Sequence, residues 1–299
     1  MSDRRPDANS GSNWPLLVFV SLIVTYVAII LRTSWKLTHA VRDYRPPDYK
    51  PSMRADKVRF RSRTGTGLIG WHIAPTEVNI SVILCHGVWT NHYEMETRAQ
   101  GLADRGFGVF VFDFSGSGES GGSTTSLGTR ETQDLLGAID FLETNSEESM
   151  FVVLGNSMGG AVGIMAAACD QRIKAVVADS AFATVEDNVP FAFRAITGLP
   201  AYPFQTPIVR VSEFIANAKI SLLRPVDEIA RISPRPVMLI QGSQDQIVDP
   251  RDAELLYQAA NNPKALWRVE NAGHVESFDL DPNAYLDKVD GFFREAVFE

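Results

Sequence analysis

Residues 151–169 read FVVLGNSMGGAVGIMAAAC. The first part, Phe151 to Leu154, is an unbroken apolar run, the pattern of a strand buried on both faces. The last part, Met158 to Cys169, is small and apolar at helical spacing. Between them Gly155, Ser157 and Gly159 form a Gly-x-Ser-x-Gly pattern. A serine on such a strand-to-helix turn is presented at the sheet edge, where its hydroxyl can act as a nucleophile. Gly155 and Gly159 let the turn close without side-chain clashes, and Gly160 and Gly163 let the helix lie close to the sheet.

The same pattern occurs at 118–122, GESGG, inside DFSGSGESGGSTTSLG (113–128). No helix begins there, so Ser120 would sit on a Gly/Ser-rich loop. Flanking structure therefore selects Ser157. A phosphate-binding turn is the other use of a glycine-rich helix start. The lysine of a P-loop and the spacing of a dinucleotide fingerprint are both missing.

Working outward, apolar runs predict strands at 57–62, 68–74, 80–86, 108–114, 151–156, 174–180, 236–242 and 265–270. Helical periodicity lies at about 94–105, 129–144, 158–169, 250–260 and 283–296. This alternation predicts an α/β fold with a mostly parallel, doubly wound sheet. The first two strands have no helix between them and suggest an antiparallel edge hairpin. Residues 182–234 carry no strand but are rich in aromatic and apolar residues. A structureless loop of that length does not belong in a compact domain, so the stretch reads as a small helical cap. Leaving the carboxyl end of a strand, it would sit over the place where open parallel sheets bind ligands.

A serine hydroxyl needs a base to take its proton and an acid to orient that base. The chain has five histidines. His39 adjoins the apolar N-terminal segment, and His72 and His86 belong to early strands. His274, in ENAGHVES, follows the last predicted strand and precedes the last helix, which brings it to the carboxyl edge of the sheet. The strand PVMLIQG is followed at once by SQDQIVDP, so Asp245 is the carboxylate nearest a strand end. Asp249, before Pro250, is better placed to cap the next helix. The order Ser157, Asp245, His274 suits nucleophile, acid and base.

These pieces carry a resemblance. LCHGVWTN (84–91), FDFSGSGESGG (112–122), GNSMGG (155–160), GSQDQIV (242–248) and AGH (272–274) together resemble the α/β-hydrolase superfamily, in particular its esterase, lipase and serine-aminopeptidase-like members. The resemblance covers about residues 57–299. It implies an α/β-hydrolase fold and an oxyanion hole made of two main-chain N–H groups. By position these belong to Val88, or failing that Trp89, and to Met158. It also makes the loop around Ser120 structural and His86 a structural histidine, with His92 the one further histidine able to approach the pocket rim. Many family members carry an arginine where this chain has Ser115, a departure that touches the packing of that loop.

The N-terminal region is separate in character. Trp14 to Leu31 is eighteen residues with no ionisable group except Tyr26. As a helix it would be about 27 Å long, near the short end of what spans a bilayer. Trp14 and Trp35 flank it, as interfacial aromatics do. No small-residue cleavage site follows, which argues against a removed signal peptide. Two Lys/Arg precede the segment and five follow within twenty residues. The positive-inside rule then places the hydrolase domain in the cytoplasm, on a single-pass membrane protein. The expected organisation is a disordered 1–13, a transmembrane helix at 14–31, a basic juxtamembrane linker at 32–56 and the hydrolase domain at 57–299.

Composition limits the partners. The 299 residues carry a net charge of −8, which argues against a nucleic-acid binder. The bilayer and a small acyl substrate are the expected partners, and oligomeric state is left open. No cysteine–histidine cluster has metal-ligand spacing, so no metal and no cofactor are implied. Cys85 and Cys169 read as buried free thiols. The activity expected is cleavage of a carboxylic ester or thioester through an acyl-enzyme. Two alternatives stay open: a serine aminopeptidase-like peptidase, for which Glu186 and Asp187 in the cap would have to hold an ammonium, and a non-catalytic, membrane-tethered binding module.

Overall fold

A computed structural model describes residues 13–39, 42–45, 53–146 and 148–298. The chain begins with helix α1 (Trp14–Thr38), followed by strands β1 (Asp56–Arg61), β2 (Gly67–Ile73) and β3 (Ile80–Cys85). Helix α2 (Glu96–Ala103), β4 (Gly108–Phe112), α3 (Glu131–Asn145), β5 (Met150–Asn156), α4 (Met158–Cys169) and β6 (Ile173–Asp179) come next. Then follow α5 (Val185–Thr197), α6 (Ala201–Ala216), the short α7 (Pro225–Glu228), β7 (Val237–Gly242), α8 (Pro250–Ala259), β8 (Lys264–Val269), the short α9 (Ser277–Leu280) and α10 (Pro282–Phe298). All eight strands form one sheet in the order β1-β2-β4-β3-β5-β6-β7-β8. β1 and β2 form the antiparallel edge hairpin, β2 also pairs antiparallel with β4, and the remaining strands are parallel.

The central strands bury alternate side chains into two cores. Ile83, Cys85 and Val153 face α3, α4 and α8. Val82, Leu84, Val152 and Leu154 face α2 and α10. Every residue of β3 is buried, which is why its sequence shows no polar alternation. From β3 the chain first adds β4 on one side and then β5 on the other. The carboxyl ends of β3 and β5 therefore border a topological switch point, with Cys85 in register with Gly155.

Three expectations need correction in detail. The apolar helix runs seven residues beyond Leu31, to Thr38, so the first part of the expected linker is helical. It continues because one face finds protein to pack on. Ser34 and Thr38 are buried, and Ser34 Oγ donates to the Ile208 carbonyl at 3.1 Å. The cap is smaller than 182–234. Helices α5 and α6 stand over the sheet edge, but Leu223, Ile229 and Ile232 return to the main core beside α4. The thiols are both free, but only Cys85 is buried; Cys169 is exposed at the end of α4. The expectation of a disordered terminus, and residues 40–41 and 46–52 of the expected linker, fall outside the described residues.

Helix α1 is long and apolar enough to cross a membrane. From Trp14 to Thr25 it is exposed all round. From Tyr26 onward one stripe (Tyr26, Ile30, Ser34, Thr38) turns towards the protein, the i, i+4 spacing of a helix face. There it packs along α6: Tyr26 Oη donates to the Pro203 carbonyl at 2.9 Å, and Ile30 joins Phe193 and Ile208 in a small core.

Candidate active site

The turn after β5 shows why its glycines are needed. Ser157 has φ +51° and ψ −115°, a conformation L-residues rarely adopt. A Cβ on Gly155 would lie 2.3 Å from the backbone of Gly159, and one on Gly159 would lie 2.1 Å from the Cys85 carbonyl oxygen. The turn is thus pressed against the end of β3, and only glycine fits. Ser157 N–H donates to the Asp179 carbonyl at 2.7 Å, which ties the turn to the end of β6.

Ser157, His274 and Asp245 meet in one hydrogen-bonded chain. Ser157 Oγ lies 3.0 Å from His274 Nε2, and His274 Nδ1 lies 2.7 Å from Asp245 Oδ2. Asp245 is held from behind. Its Oδ1 accepts from the N–H groups of Ile247 and Val248 at 2.8 and 2.9 Å, and its Oδ2 accepts from Gln241 Nε2 at 3.1 Å. The carboxylate side chain has no solvent exposure, so its charge is directed at the imidazole. Asp249 plays the separate role expected of it, capping α8 by accepting from Arg251 N–H at 3.0 Å.

Val88 and Met158 both border the cavity above Ser157. Among the described residues, neither main-chain N–H donates a hydrogen bond to a protein acceptor. Met158 opens α4, so its N–H is one of the unpaired donors at the positive end of a helix. The loop of Val88 is braced by Glu94, whose carboxylate accepts from Gly87 N–H and from Thr90 Oγ, both at 2.7 Å.

The second serine pattern has a structural job. Ser120 Oγ donates to the Asp113 carbonyl at 2.6 Å and accepts from Ile69 N–H at 2.9 Å, and Ser120 is not among the residues lining the cavity. Gly118 has φ +45°, and a Cβ there would collide with the Asp113 carboxylate at 2.1 Å. Asp113 accepts from the N–H groups of His92 and Glu119. Ser115, where an arginine is common in the resembling family, donates from N–H and Oγ to Asp134. Arg42 caps the same loop from outside, donating to the carbonyls of Gly118, Ser120 and Gly122.

Three of the other histidines have structural partners. Phe114 N–H donates to His86 Nε2 at 3.1 Å, so the proton sits on Nδ1, 2.7 Å from the Gly87 carbonyl. Burial, the largest cause, lowers the His86 pKa and keeps the ring neutral. His92 does not reach the rim; it is buried, 2.8 Å from Asp113 Oδ1 and stacked on Trp71. His72 pairs with Glu148 at 2.7 Å.

Above Ser157 lies a cavity of about 400 Å³ with a mainly apolar lining. Its walls come from α5 and α6 (Val185, Phe193, Ile208), from the Val88–Trp89 loop and from Leu37 and Thr38 at the end of α1. Glu186 and Asp187 are not part of it: both are exposed, and Asp187 caps α5 with Thr184. The acids that do border it, Glu94 and Glu213, each accept main-chain N–H bonds.

Sequence reasoning missed two contributions. One is the α1 terminus in the cavity wall. The other is a buried group around Asp179, which accepts from Ser180 Oγ and Tyr285 Oη, both at 3.1 Å, with Arg98 close by. Burial raises the Asp179 pKa to about 6. Arg98 lies on a short amphipathic helix, where a cation reads as solvent-facing, so a single sequence carries no signal for it.

The chain has the α/β-hydrolase fold, and the proteins it is similar to include esterase and serine aminopeptidase-like hydrolases. The family described as "Serine aminopeptidase, S33" matches residues 76–219. Among curated proteins, YfhR of Escherichia coli strain K12 is 27% identical over 95% of each chain. YqkD of Bacillus subtilis strain 168 is 27% identical over 77% of this chain and 76% of its own. Both are described as uncharacterised. The solved esterase Pf2001 of Pyrococcus furiosus superposes with a TM-score of 0.72 at 25% identity, covering 87% of this chain and 98% of its own.

Proposed function

We propose that this protein is a serine hydrolase that cleaves a carboxylic ester or thioester of a hydrophobic acyl group. The observation that carries the reading is Ser157 Oγ at 3.0 Å from His274 Nε2, beneath an apolar cavity. Ser157 Oγ attacks the acyl carbonyl while its proton passes to His274 Nε2. Asp245 fixes the tautomer and balances the imidazolium charge. The N–H groups of Val88 and Met158 receive the oxyanion; loss of one such donor typically costs about 3–4 kcal/mol of transition-state stabilisation. The bond to the leaving oxygen or sulfur then breaks, and His274 returns the proton to that atom. Water, deprotonated by His274, releases the acid and restores Ser157.

The esterase reading is favoured over an aminopeptidase by the cavity itself. Its apolar lining suits an acyl chain, and its acids are engaged with main-chain donors rather than poised for an ammonium. We further propose that α1 anchors the protein in a bilayer, with the hydrolase domain on the cytoplasmic side, a reading supported by the excess of Lys/Arg after the helix.

A fluorophosphonate probe with nitrophenyl esters of rising acyl length, set beside aminoacyl amides, tests the chemistry. Labelling at Ser157 and a preference for medium or long esters are expected. Amide preference would favour the peptidase, and absence of labelling the binding module. A reporter fused to the C-terminus tests the topology; periplasmic or extracellular signal would reverse it.

A further inference from the structure

We propose that helix α1 is a component of the substrate site: its last turn walls the acyl pocket and supports the oxyanion loop. The proposal builds on the acyl-hydrolase reading above and names the substrate class more closely, as a long acyl chain.

The last carbonyls of a helix have no partner within it and carry its negative end. In α1 they are taken up by the two loops that border the cavity. Trp89 Nε1–H donates to the Leu37 carbonyl at 2.8 Å, and Thr125 N–H donates to the Thr38 carbonyl at 2.9 Å. Trp89 follows Val88 directly and holds φ +61°, a strained conformation for a bulky residue that its surroundings must enforce. The Leu37 carbonyl is one such restraint. Thr125 leads into Ser126 and Leu127, which line the pocket on the other side.

Leu37 and Thr38 border the cavity, as Phe193 and Ile208 do, and Leu37 packs against the cluster those two form with Ile30. Phe193 and Ile208 also form the small core that holds Ile30 of α1 against the cap. Cap, helix and pocket are therefore one packed unit. A chain bound there would run between α5, α6 and the end of α1, so residue 37 sets how much chain the site accepts.

The test uses the full-length protein in lipid nanodiscs. Palmitate binding, read by displacement of a fluorescent fatty acid, is compared between Ser157→Ala and Ser157→Ala with Leu37→Trp; neither requires turnover. Filling the wall is expected to weaken binding by about tenfold or more. Equal binding by the two folded variants, or no binding by Ser157→Ala itself, overturns the proposal. Should the tryptophan variant fail to fold, Leu37→Asn makes the same comparison with a side chain of similar size but opposite polarity. For the loop, Trp89→Phe is expected to lower kcat for nitrophenyl acetate about three- to tenfold with KM nearly unchanged, the effect of one lost hydrogen bond. An unchanged kcat removes the supporting role. Wild-type protein that hydrolyses no ester sinks the hydrolase reading instead, and the binding comparison still decides the wall.

Discussion

The guanidinium of Arg98 donates to the main-chain carbonyl of Val275, one residue beyond His274, at 3.0 Å. Ser180 Oγ accepts from the N–H of the same residue at 3.2 Å. Val275 has φ +55°, an unfavourable state for a β-branched residue. Arg98 and Ser180 thus grip the backbone beside the proposed base from both sides, and both are tied to buried Asp179. Arg98 also lies over the ring of Phe278, 4.4 Å from its centroid. Arg98→Met is expected to reduce kcat about ten- to a hundredfold with a smaller change in KM. Removing one partner of a buried charge group should also cost about 3–5 kcal/mol of stability. Arg98→Lys would recover part of the stability but not the backbone contact. Steady-state kinetics with a short ester and urea unfolding measure the two effects; a kcat that follows only the folded fraction would reduce Arg98 to a packing role.

Asp245→Asn leaves the shape of the site intact and removes the charge facing His274 Nδ1. With the wrong tautomer favoured, kcat should fall by roughly 10³–10⁴. Fluorophosphonate labelling rates provide a second reading without a leaving-group step. A loss below tenfold would mean that another carboxylate orients the imidazole.

Two glycines should respond oppositely to alanine. Gly159→Ala puts a Cβ 2.1 Å from the Cys85 carbonyl oxygen and 2.8 Å from that of His86, backbone atoms with nothing flexible to yield. A loss of about 3 kcal/mol or more, with loss of labelling, is expected. Gly291 lies inside α10 with open space around its missing Cβ. Gly291→Ala should stabilise the protein by about 0.5–1 kcal/mol through helix propensity. Thermal unfolding of the pair decides both.

Asp134 is buried, and burial raises its pKa to about 6, against 3.8 as its ordinary value. The folded state therefore holds this proton more tightly than the unfolded chain does. The favourable contribution of the protonated form is complete below about pH 4 and is lost as pH rises through 6. Asp134→Asn has no such loss. Its stability relative to the wild type should rise by about 2–3 kcal/mol between pH 4 and pH 7. Urea unfolding of both proteins across that range gives the difference curve, and a flat curve would contradict the buried-acid assignment.

The strands and main helices were legible because they are long, apolar and regularly spaced, and all eight strands fall within two residues of their expected limits. Ser157, Asp245 and His274 were legible because each follows a strand, so chain order alone put them at one edge of the sheet. The return of residues 223–232 to the core was not legible, because cap and core use the same apolar residues. The end of α1 was placed short for a related reason: hydropathy marks where an apolar span stops, while Ser34 and Thr38 stay helical through hydrogen bonds to partners distant in sequence or one turn back.

By itself, the sequence determined a parallel α/β sheet, the strained serine turn and an apolar N-terminal helix, since these rest on local periodicity and on where glycine alone fits. Only the tertiary structure decided that His92 is buried away from the pocket, that Arg98 grips the loop of His274, and that the last turn of α1 borders the cavity. Those features depend on contacts between residues tens to hundreds of positions apart, and local pattern carries no record of which distant surface a side chain will meet.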